Sequence, residues 1–298
     1  MEIKPLRYFY EVARLGSFTR AAEQLKLAQP AVSMAIRKLE AELELTLFHR
    51  HERTIALTDE GKRLFEQAGR ILQVVQDAQL EMQELKGLTQ GTVRVGIPSM
   101  LGSFHFPPIL MAFKHRYPNL TFSVQEGGTW QLQQMLEKGE LDLAVIESEL
   151  VPPELEARTI LREEMLVTVS RDHRFADTSS VTLQEFFQEE LVMFRQGYFH
   201  RKVLDRLAGE VGCTPNISFE TNLVPLIRSI VKHGFGISTL LKMAIEDDPE
   251  LITLSFNPPI ILDLCLAWRR EGYLSRANQA FVDFVLEQSD EQHRATPV

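Results

Sequence analysis

Apolar residues in the first part of the chain recur at the three- and four-residue spacing of amphipathic helices. The first predicted helix carries Leu6, Phe9, Tyr10 and Ala13 and stops at Gly16. A short second helix over residues 19–25 follows Ser17, and Pro30 opens a third, because proline's missing N–H is tolerated in a first helical turn. The inward stripe of the third helix is Val32, Ile36, Leu39 and Leu43. Two short helices joined by a tight turn predict a helix-turn-helix.

The other side chains of the third helix point outward, on the surface that a helix-turn-helix places in the major groove of DNA. They are Gln29, Ser33, Met34, Arg37 and Lys38. Apolar Leu47, Ile55 and Leu57 then predict a two-stranded wing. Between them lie Arg50, His51 and Arg53, which suit contact with phosphate. The spacing alone also fits a small helical bundle with a charged solvent face.

A heptad pattern follows the wing. Its apolar positions are Leu64, Ala68, Ile71, Val75, Ala78, Met82 and Leu85, spaced alternately by four and three residues. That spacing predicts a long helix whose seam pairs with a second copy of the chain. The alternative is a long helix packed on its own domain. Gly87 and Gly91 then end the segment.

From Thr92 onward the pattern changes to alternating strands and helices, typical of parallel βαβ units. Predicted strands are TVRVGI, LTFSVQE, LDLAVIE, MLVTVS, ELVMF, ISFE, GISTL and LDLCLAW. Ligands of open parallel sheets bind beyond the carboxyl ends of strands. The residues predicted there are Ser99, Met100, Gly128, Thr129, Glu147, Arg195, Tyr198, Phe199, Thr221 and Asn222.

These strand-end residues have the chemistry of a small-molecule site. The hydroxyls of Ser99, Thr129 and Thr221 suit an anionic group, with Arg195 as its charge partner, whereas Glu147 leaves the charge of the ligand open. In the alternative, the hydroxyls only cap helices and the aromatic rings only fill the space between two lobes.

Composition and charge change this picture in one respect. The chain has 298 residues, enough for two domains, and a formal charge of −9, which taken as a whole disfavours binding to phosphate. The charge is unevenly distributed: residues 1–58 hold nine Lys/Arg against seven Asp/Glu, and residues 1–90 hold thirteen of each. The remainder therefore carries the whole −9, and DNA binding should depend on a few placed cations.

Enzyme and membrane classes find little support in the sequence. None of the motifs GxSxG, HExxH, GxGxxG or the phosphate-binding P-loop occurs, and the eight histidines lack metal-ligand spacing. The two cysteines, Cys213 and Cys265, are expected to be buried thiols, with a redox pair as the alternative. No cofactor is expected. Without a signal peptide or a long apolar run, the chain is expected in the bacterial cytoplasm.

The stretch from Phe9 to Gly61, which contains GSFTRAAEQLKLAQPAVSMAIRKLEAEL, resembles the DNA-binding domain of LysR-type transcriptional regulators. The resemblance implies a DNA face that includes Gln29, Pro30, Ser33 and Arg37, with Arg50 and Arg53 in the wing. Three positions depart from the family pattern. Ala28 stands where a capping Ser is frequent, Met34 and Ala35 stand where longer polar residues are common, and Glu44 stands where Gly is usual. An apolar contact to a thymine methyl is therefore expected at Met34.

The resemblance implies an α plus α/β architecture in three parts. These are a winged helix-turn-helix (1–58), a linker helix for dimerisation (59–90) and a two-lobed effector domain resembling periplasmic binding proteins (91–298). Its lobes are expected at about 91–161 plus 267–290 and at about 162–266. The implied partners are double-stranded, pseudo-palindromic promoter DNA, a small organic effector in the cleft, and a second copy in a dimer or dimer of dimers. RNA polymerase is a further candidate partner.

Two other functions are compatible with parts of the sequence. A solute-binding module or an enzyme with an incidental helical domain would bind or convert a small molecule without any effect of DNA. An architectural DNA-binding protein with a vestigial cleft would bind DNA and no metabolite.

Overall fold

The computed structural model describes residues 1–51, 54–85 and 91–295, with side chains except at 50, 51, 54, 83–85, 150 and 290–295. It comprises two compact units, Met1–Lys86 and Gly87–Val298. The first unit contains α1 (Ile3–Leu15), α2 (Phe18–Leu25), α3 (Gln29–Leu43), β1 (Phe48–His51), β2 (Thr54–Leu57) and α4 (Asp59–Leu85). All three predicted helices and both wing strands are present in it.

Local signals in the sequence place the ends of these helices. Gly16 ends α1 in the left-handed conformation at φ 60°, and the Ser17 hydroxyl caps α2 by accepting the backbone N–H of Arg20 at 3.3 Å. Pro30 lies in the first turn of α3, as predicted. Glu44 ends α3 at φ 54°, a left-handed conformation that glycine adopts without steric cost. The departure at Glu44 therefore retains the turn and strains one residue.

The inward stripe predicted for α3 forms the core of the first unit. Val32, Ile36 and Leu39 are fully buried and pack with Phe9 of α1. The strands β1 and β2 pair antiparallel, with Phe48 opposite Leu57, and Leu47 is buried just before the first of them. The wing is thus anchored to the helical core at its base.

Among its described residues the second unit contains seven α-helices and ten strands, interleaved along the chain. Its helices are α5 (Ser99–Phe104), α6 (Phe106–Arg116), α7 (Thr129–Glu137), α8 (Leu183–Phe187), α9 (Phe199–Glu210), α10 (Val224–Lys232) and α11 (Arg276–Ala295). Its strands are β3 (Thr92–Ile97), β4 (Thr121–Glu126), β5 (Leu143–Glu147), β6 (Leu155–Ser170), β7 (Ser180–Val181), β8 (Glu190–Met193), β9 (Asn216–Glu220), β10 (Ser238–Leu241), β11 (Leu251–Phe256) and β12 (Ile261–Arg269).

The predicted parallel pairing is found in only part of this unit, because β12 pairs antiparallel with β5 and β6, and β10 and β11 pair antiparallel with β6. In the first lobe β3 lies between β4 and β5 and is parallel to both, and in the second lobe β8 and β9 form a parallel pair. The sheet order is β4-β3-β5-β12-β6-β11-β7, and β10 also pairs with β6. The strands over residues 180–181 and 251–256 are absent from the sequence prediction.

Two strands carry the chain between the lobes. Along β6, residues up to Glu164 pair with β12, whereas residues from Met165 onward pair with β10 and β11. The first crossing is therefore close to the boundary predicted at about 161/162. On the return, Leu264 already pairs with Glu147 of β5 in the first lobe, three residues before the start of the segment predicted at about 267.

Candidate functional sites

The outward face of α3 is the first candidate site. Five of its predicted residues are exposed and Ser33 is half-buried; the exposed residues are Gln29, Pro30, Met34, Arg37 and Lys38. Met34 is 69% exposed, which is unusual for a large apolar side chain and fits a contact made only with a partner. Ala28, as the residue capping α3, supplies no side-chain oxygen. In the first turn of α3, Pro30 has no N–H and the N–H of Ala31 donates to the Ala28 carbonyl oxygen at 3.0 Å, which leaves the N–H of Gln29 for a ligand such as phosphate.

The cations on this face are available for binding. Lys38 lies 3.6 Å from Glu2, and both side chains are 72% exposed, so water screens the pair and it exchanges readily. Arg37 is exposed and has no ion-pair partner among the described residues. In the wing, Arg50 and His51 lie on β1, but their side chains and all of Arg53 fall outside the described part of the chain.

The seven heptad residues fall into two groups on α4. Ala68 is fully buried and Leu64 half-buried in the core of the first unit, where Phe65 stacks on Tyr10 at 4.7 Å. The prediction of an intermolecular seam is therefore wrong for Ala68, which is fully buried in the core of its own unit, and Leu64 packs against the same core. Farther along the helix, Ile71, Ala78 and Met82 are exposed and Val75 is half-buried. The side chain of Leu85 lies outside the described residues.

The second candidate site is the cleft between the lobes of the second unit. Strand ends of the first lobe contribute Ser99, Thr129 and Glu147, and those of the second contribute Tyr198 and Asn222. The Ser99 hydroxyl lies 3.4 Å from both the Tyr198 hydroxyl and the Asn222 carbonyl oxygen. The structure therefore brings together residues that the sequence placed on separate elements.

A tyrosine hydroxyl closes one part of the cleft. Tyr198 donates a 2.7 Å hydrogen bond to Glu126, the last residue of β4, which the sequence analysis did not single out. Burial of the ring and the neighbouring carboxylate raise the pKa of Tyr198 to about 12. The hydroxyl consequently stays protonated at neutral pH and acts as a donor.

An ion pair closes another part. Lys202, one turn into α9, lies 2.9 Å from Glu147, whose other oxygen accepts the Thr129 hydroxyl at 3.1 Å. Lys202 is also absent from the sequence prediction, although it follows Tyr198, the N-cap residue of α9, by four residues and its backbone N–H donates to the Tyr198 carbonyl oxygen at 3.0 Å. That spacing is the signal that could have identified it.

Backbone contact between the lobes requires glycine at one point. A Cβ on Gly128 would lie 2.2 Å from the carbonyl oxygen of Gly197, far inside normal contact. The φ of Gly128 is −73°, so any residue could adopt this backbone conformation. Glycine is needed here for the close approach alone.

The remaining predicted cleft residues have other contacts. Met100 and Phe199 are each 1% exposed within the hydrophobic core of the unit, so the space-filling alternative describes Phe199. The Thr221 hydroxyl accepts the backbone N–H of Leu223 at 3.2 Å in a local turn before α10, which has no side-chain cap. Arg195 is exposed, and its backbone N–H donates to the Asn222 side chain at 2.9 Å.

Other chemistry is limited in the described residues. They contain no cluster of three or more metal-ligating side chains, and none of their helices is long and apolar enough to cross a membrane. Cys265 is buried, which raises the pKa of its thiol to about 11 and suppresses its reactivity. Cys213 is only half-buried, so the prediction of two buried thiols is wrong for it.

Known proteins match both units. The family model described as "Bacterial regulatory helix-turn-helix protein, lysR family" matches residues 3–62, and "LysR substrate binding domain" matches residues 86–290. The uncharacterized HTH-type transcriptional regulator YcgK of Bacillus subtilis is 34% identical, over 96% of this chain and 94% of the relative. The RuBisCO operon transcriptional regulator of Allochromatium vinosum is 32% identical, over 98% of each.

Solved structures share the fold over nearly the whole chain. A full-length OxyR variant from Pseudomonas aeruginosa has a TM-score of 0.75 at 24% identity, covering 96% of this chain and 94% of that one. Full-length CbnR complexed with its target DNA has a TM-score of 0.64 at 22% identity, covering 97% and 100%.

Proposed function

The chain belongs to the LysR family of transcriptional regulators, and from that premise we propose that α3 reads promoter DNA while the inter-lobe cleft binds the effector. It is a regulator with an effector-binding domain and not an enzyme. Because its proposed target is double-stranded DNA, we expect the protein to act in the cytoplasm. A dimer of dimers that also contacts RNA polymerase is the arrangement in which we expect it to act.

The observation that carries the DNA-binding role is the composition of the exposed face of α3. Arg37 and Lys38 can meet phosphate, while Gln29 at the N-terminal end can reach base edges in the major groove. Exposed Met34 suits a thymine methyl. These contacts need few cations, which fits a first unit of near-neutral charge.

Replacing Arg37 by alanine should weaken promoter binding by roughly tenfold and lower the slope of log K against log salt by about 1, because one phosphate contact is lost. Fluorescence anisotropy over a salt series measures both quantities. Arg14→Ala is the matched control, since Arg14 lies on α1 and pairs with Glu11 at 2.7 Å. Equal affinity and slope for Arg37→Ala and wild type would remove Arg37 from the interface.

The exposed apolar part of α4 supports dimerisation. Ile71 is 36% exposed and Met82 51% exposed, one and a half heptads apart on one side of a 27-residue helix. We propose that this distal stretch, from Ile71 onward, pairs with a second copy. Two copies then present two α3 helices to one face of DNA, which favours a pseudo-palindromic site.

A Val75→Asp change should dissociate the dimer, because it places two like charges at facing positions of the seam. Sedimentation velocity measures the shift in mass. Gln76→Asp is the control: it adds the same charge to an exposed residue one position off the seam. A Val75→Asp protein that sediments like wild type would exclude α4 as the dimer contact.

We assign the effector to the cleft because three hydroxyls, two carboxylates and one ammonium converge there from both lobes. A ligand bound between the lobes contacts both of them, so its affinity depends on their separation. An effector that binds one arrangement of the lobes more tightly than another shifts the equilibrium between the two arrangements of the DNA-bound assembly. The free energy of that shift is limited to the difference between the two binding free energies.

A further inference from the structure

Two of the contacts that cross the cleft join an acidic residue of the first lobe to a donor of the second. Glu147 accepts from the Lys202 ammonium at 2.9 Å, and Glu126 accepts from the Tyr198 hydroxyl at 2.7 Å. A ligand that enters between the lobes must break these contacts and replace what each partner loses. The chemistry of the less exposed partner therefore selects the ligand.

In the ion pair, the carboxylate is the partner that depends on a replacement. The side chain of Glu147 is 14% exposed, whereas that of Lys202 is 48% exposed. Released Lys202 can turn to water. Released Glu147 keeps only the Thr129 hydroxyl among the described residues, and a poorly hydrated carboxylate without a cation is strongly disfavoured. The ligand must therefore offer Glu147 a positive or N–H group.

In the second contact, the tyrosine is the partner that depends on a replacement. Tyr198 is 6% exposed, whereas Glu126 is exposed and can be hydrated without Tyr198. With its pKa raised to about 12, the Tyr198 hydroxyl remains a donor that needs an acceptor. The Ser99 hydroxyl, 3.4 Å away, can donate to the same acceptor. The ligand must therefore offer an oxygen acceptor at this point.

The two demands lie close together. Tyr198 is the N-cap residue of α9 and Lys202 lies in the first turn, where its backbone N–H donates to the Tyr198 carbonyl oxygen at 3.0 Å, so both residues lie at the same end of the helix. One small molecule can satisfy both. A simple anion would leave Glu147 without a cation, and a simple amine would leave Tyr198 without an acceptor.

We propose that the effector is a small zwitterion, whose ammonium group takes the place of Lys202 at Glu147 and whose carboxylate or equivalent anionic group takes the place of Glu126 at Tyr198. This inference rests on the proposed function, since it takes the cleft as the effector site. It names the chemical class of the ligand that the hydroxyls alone leave open.

Thermal shift and calorimetry on the full chain test the class with matched probes. The zwitterions are the proteinogenic L-amino acids, β-alanine and 4-aminobutanoate at millimolar concentration. Each is paired with the hydroxy acid that lacks its amino group and the amino alcohol that lacks its carboxylate. We expect at least one zwitterion to raise the Tm, with a Kd at least tenfold lower than that of either paired probe. Equal binding of the hydroxy acid, or no binding by any zwitterion, overturns the proposal.

Two substitutions distinguish a zwitterionic ligand from an anionic one, because the two classes predict opposite effects on the Kd. Glu147→Gln should raise the Kd of the bound zwitterion at least tenfold, while Lys202→Met should leave it unchanged or lower it, because the competitor for Glu147 is gone. An anion-binding cleft predicts the reverse order, with Lys202→Met the damaging change. Glu149→Gln is the control, an exposed carboxylate two residues from Glu147. The reverse order overturns the proposal.

The proposed regulator function and the proposed ligand class can fail separately. Titration of promoter DNA without any probe reports on the proposed function alone. Intact DNA binding together with failed zwitterion binding would overturn the ligand class and leave the regulator function standing.

Discussion

Replacing Gly61 by alanine should unfold or severely destabilise the first unit. A Cβ at this position would lie 2.1 Å from the carbonyl oxygen of Leu47 and 3.0 Å from a methyl group of Leu57. The first obstacle is backbone at the base of the wing, so it cannot move aside as a side chain would. Alanine ordinarily favours a helix over glycine by about 1 kcal/mol, but overpacking of this kind costs about 3 kcal/mol or more.

Chemical denaturation followed by circular dichroism measures the loss, and DNA binding should be lost with it. Gly69→Ala is the matched control on the same helix, since its Cβ would meet only the ring edge of Tyr10, at 3.2 Å. We expect the control to stay within about 1 kcal/mol of wild type. A Gly61→Ala protein as stable as the control would contradict the packing of α4 against the wing.

Replacing Gly128 by alanine should open the cleft. The added Cβ would lie 2.2 Å from the carbonyl oxygen and 2.6 Å from the carbonyl carbon of Gly197, so the lobes must separate at this point. The contacts of Ser99 and Glu147 with the second lobe are expected to weaken with them. We expect a loss of about 1–3 kcal/mol in stability of the second unit and loss of effector response, with DNA binding retained.

Calorimetric unfolding and small-angle scattering of the full chain measure these effects. Gly102→Ala is the control, because its Cβ would make one ordinary contact, 3.6 Å from Ile97. A Gly128→Ala protein with unchanged Tm and unchanged response would show that the lobes do not meet at this residue.

The sequence predicts local structure well where one element supplies its own signals. The third helix is an example: Pro30 marks its start, and its buried stripe of Val32, Ile36 and Leu39 follows from spacing alone. The heptad is a contrasting case. Ala68 and Ile71 are both apolar positions of the heptad pattern, yet Ala68 is buried in the core that α1 of its own unit helps to form. The spacing of apolar residues does not indicate which neighbour will cover them.

The cleft shows the same limit at longer range. The positions of Ser99, Thr129 and Glu147 were predictable, because ligands bind beyond the carboxyl ends of parallel strands and this rule needs only the order of the strands. The decisive partners, Glu126 and Lys202, escaped prediction. Their contacts join residues 72 and 55 positions apart, and only the folded arrangement of two lobes brings them together.

Sequence-specific binding of promoter DNA is tested most directly by titrating the purified full chain with DNA from upstream of the protein's own gene. Fluorescence anisotropy with labelled DNA, at about 50 mM and about 200 mM salt, measures affinity and its salt dependence. We expect saturable binding that persists in an excess of random-sequence DNA and weakens steeply as the salt concentration rises. Binding that random-sequence DNA abolishes equally well, or no binding at the lower salt concentration, would contradict it.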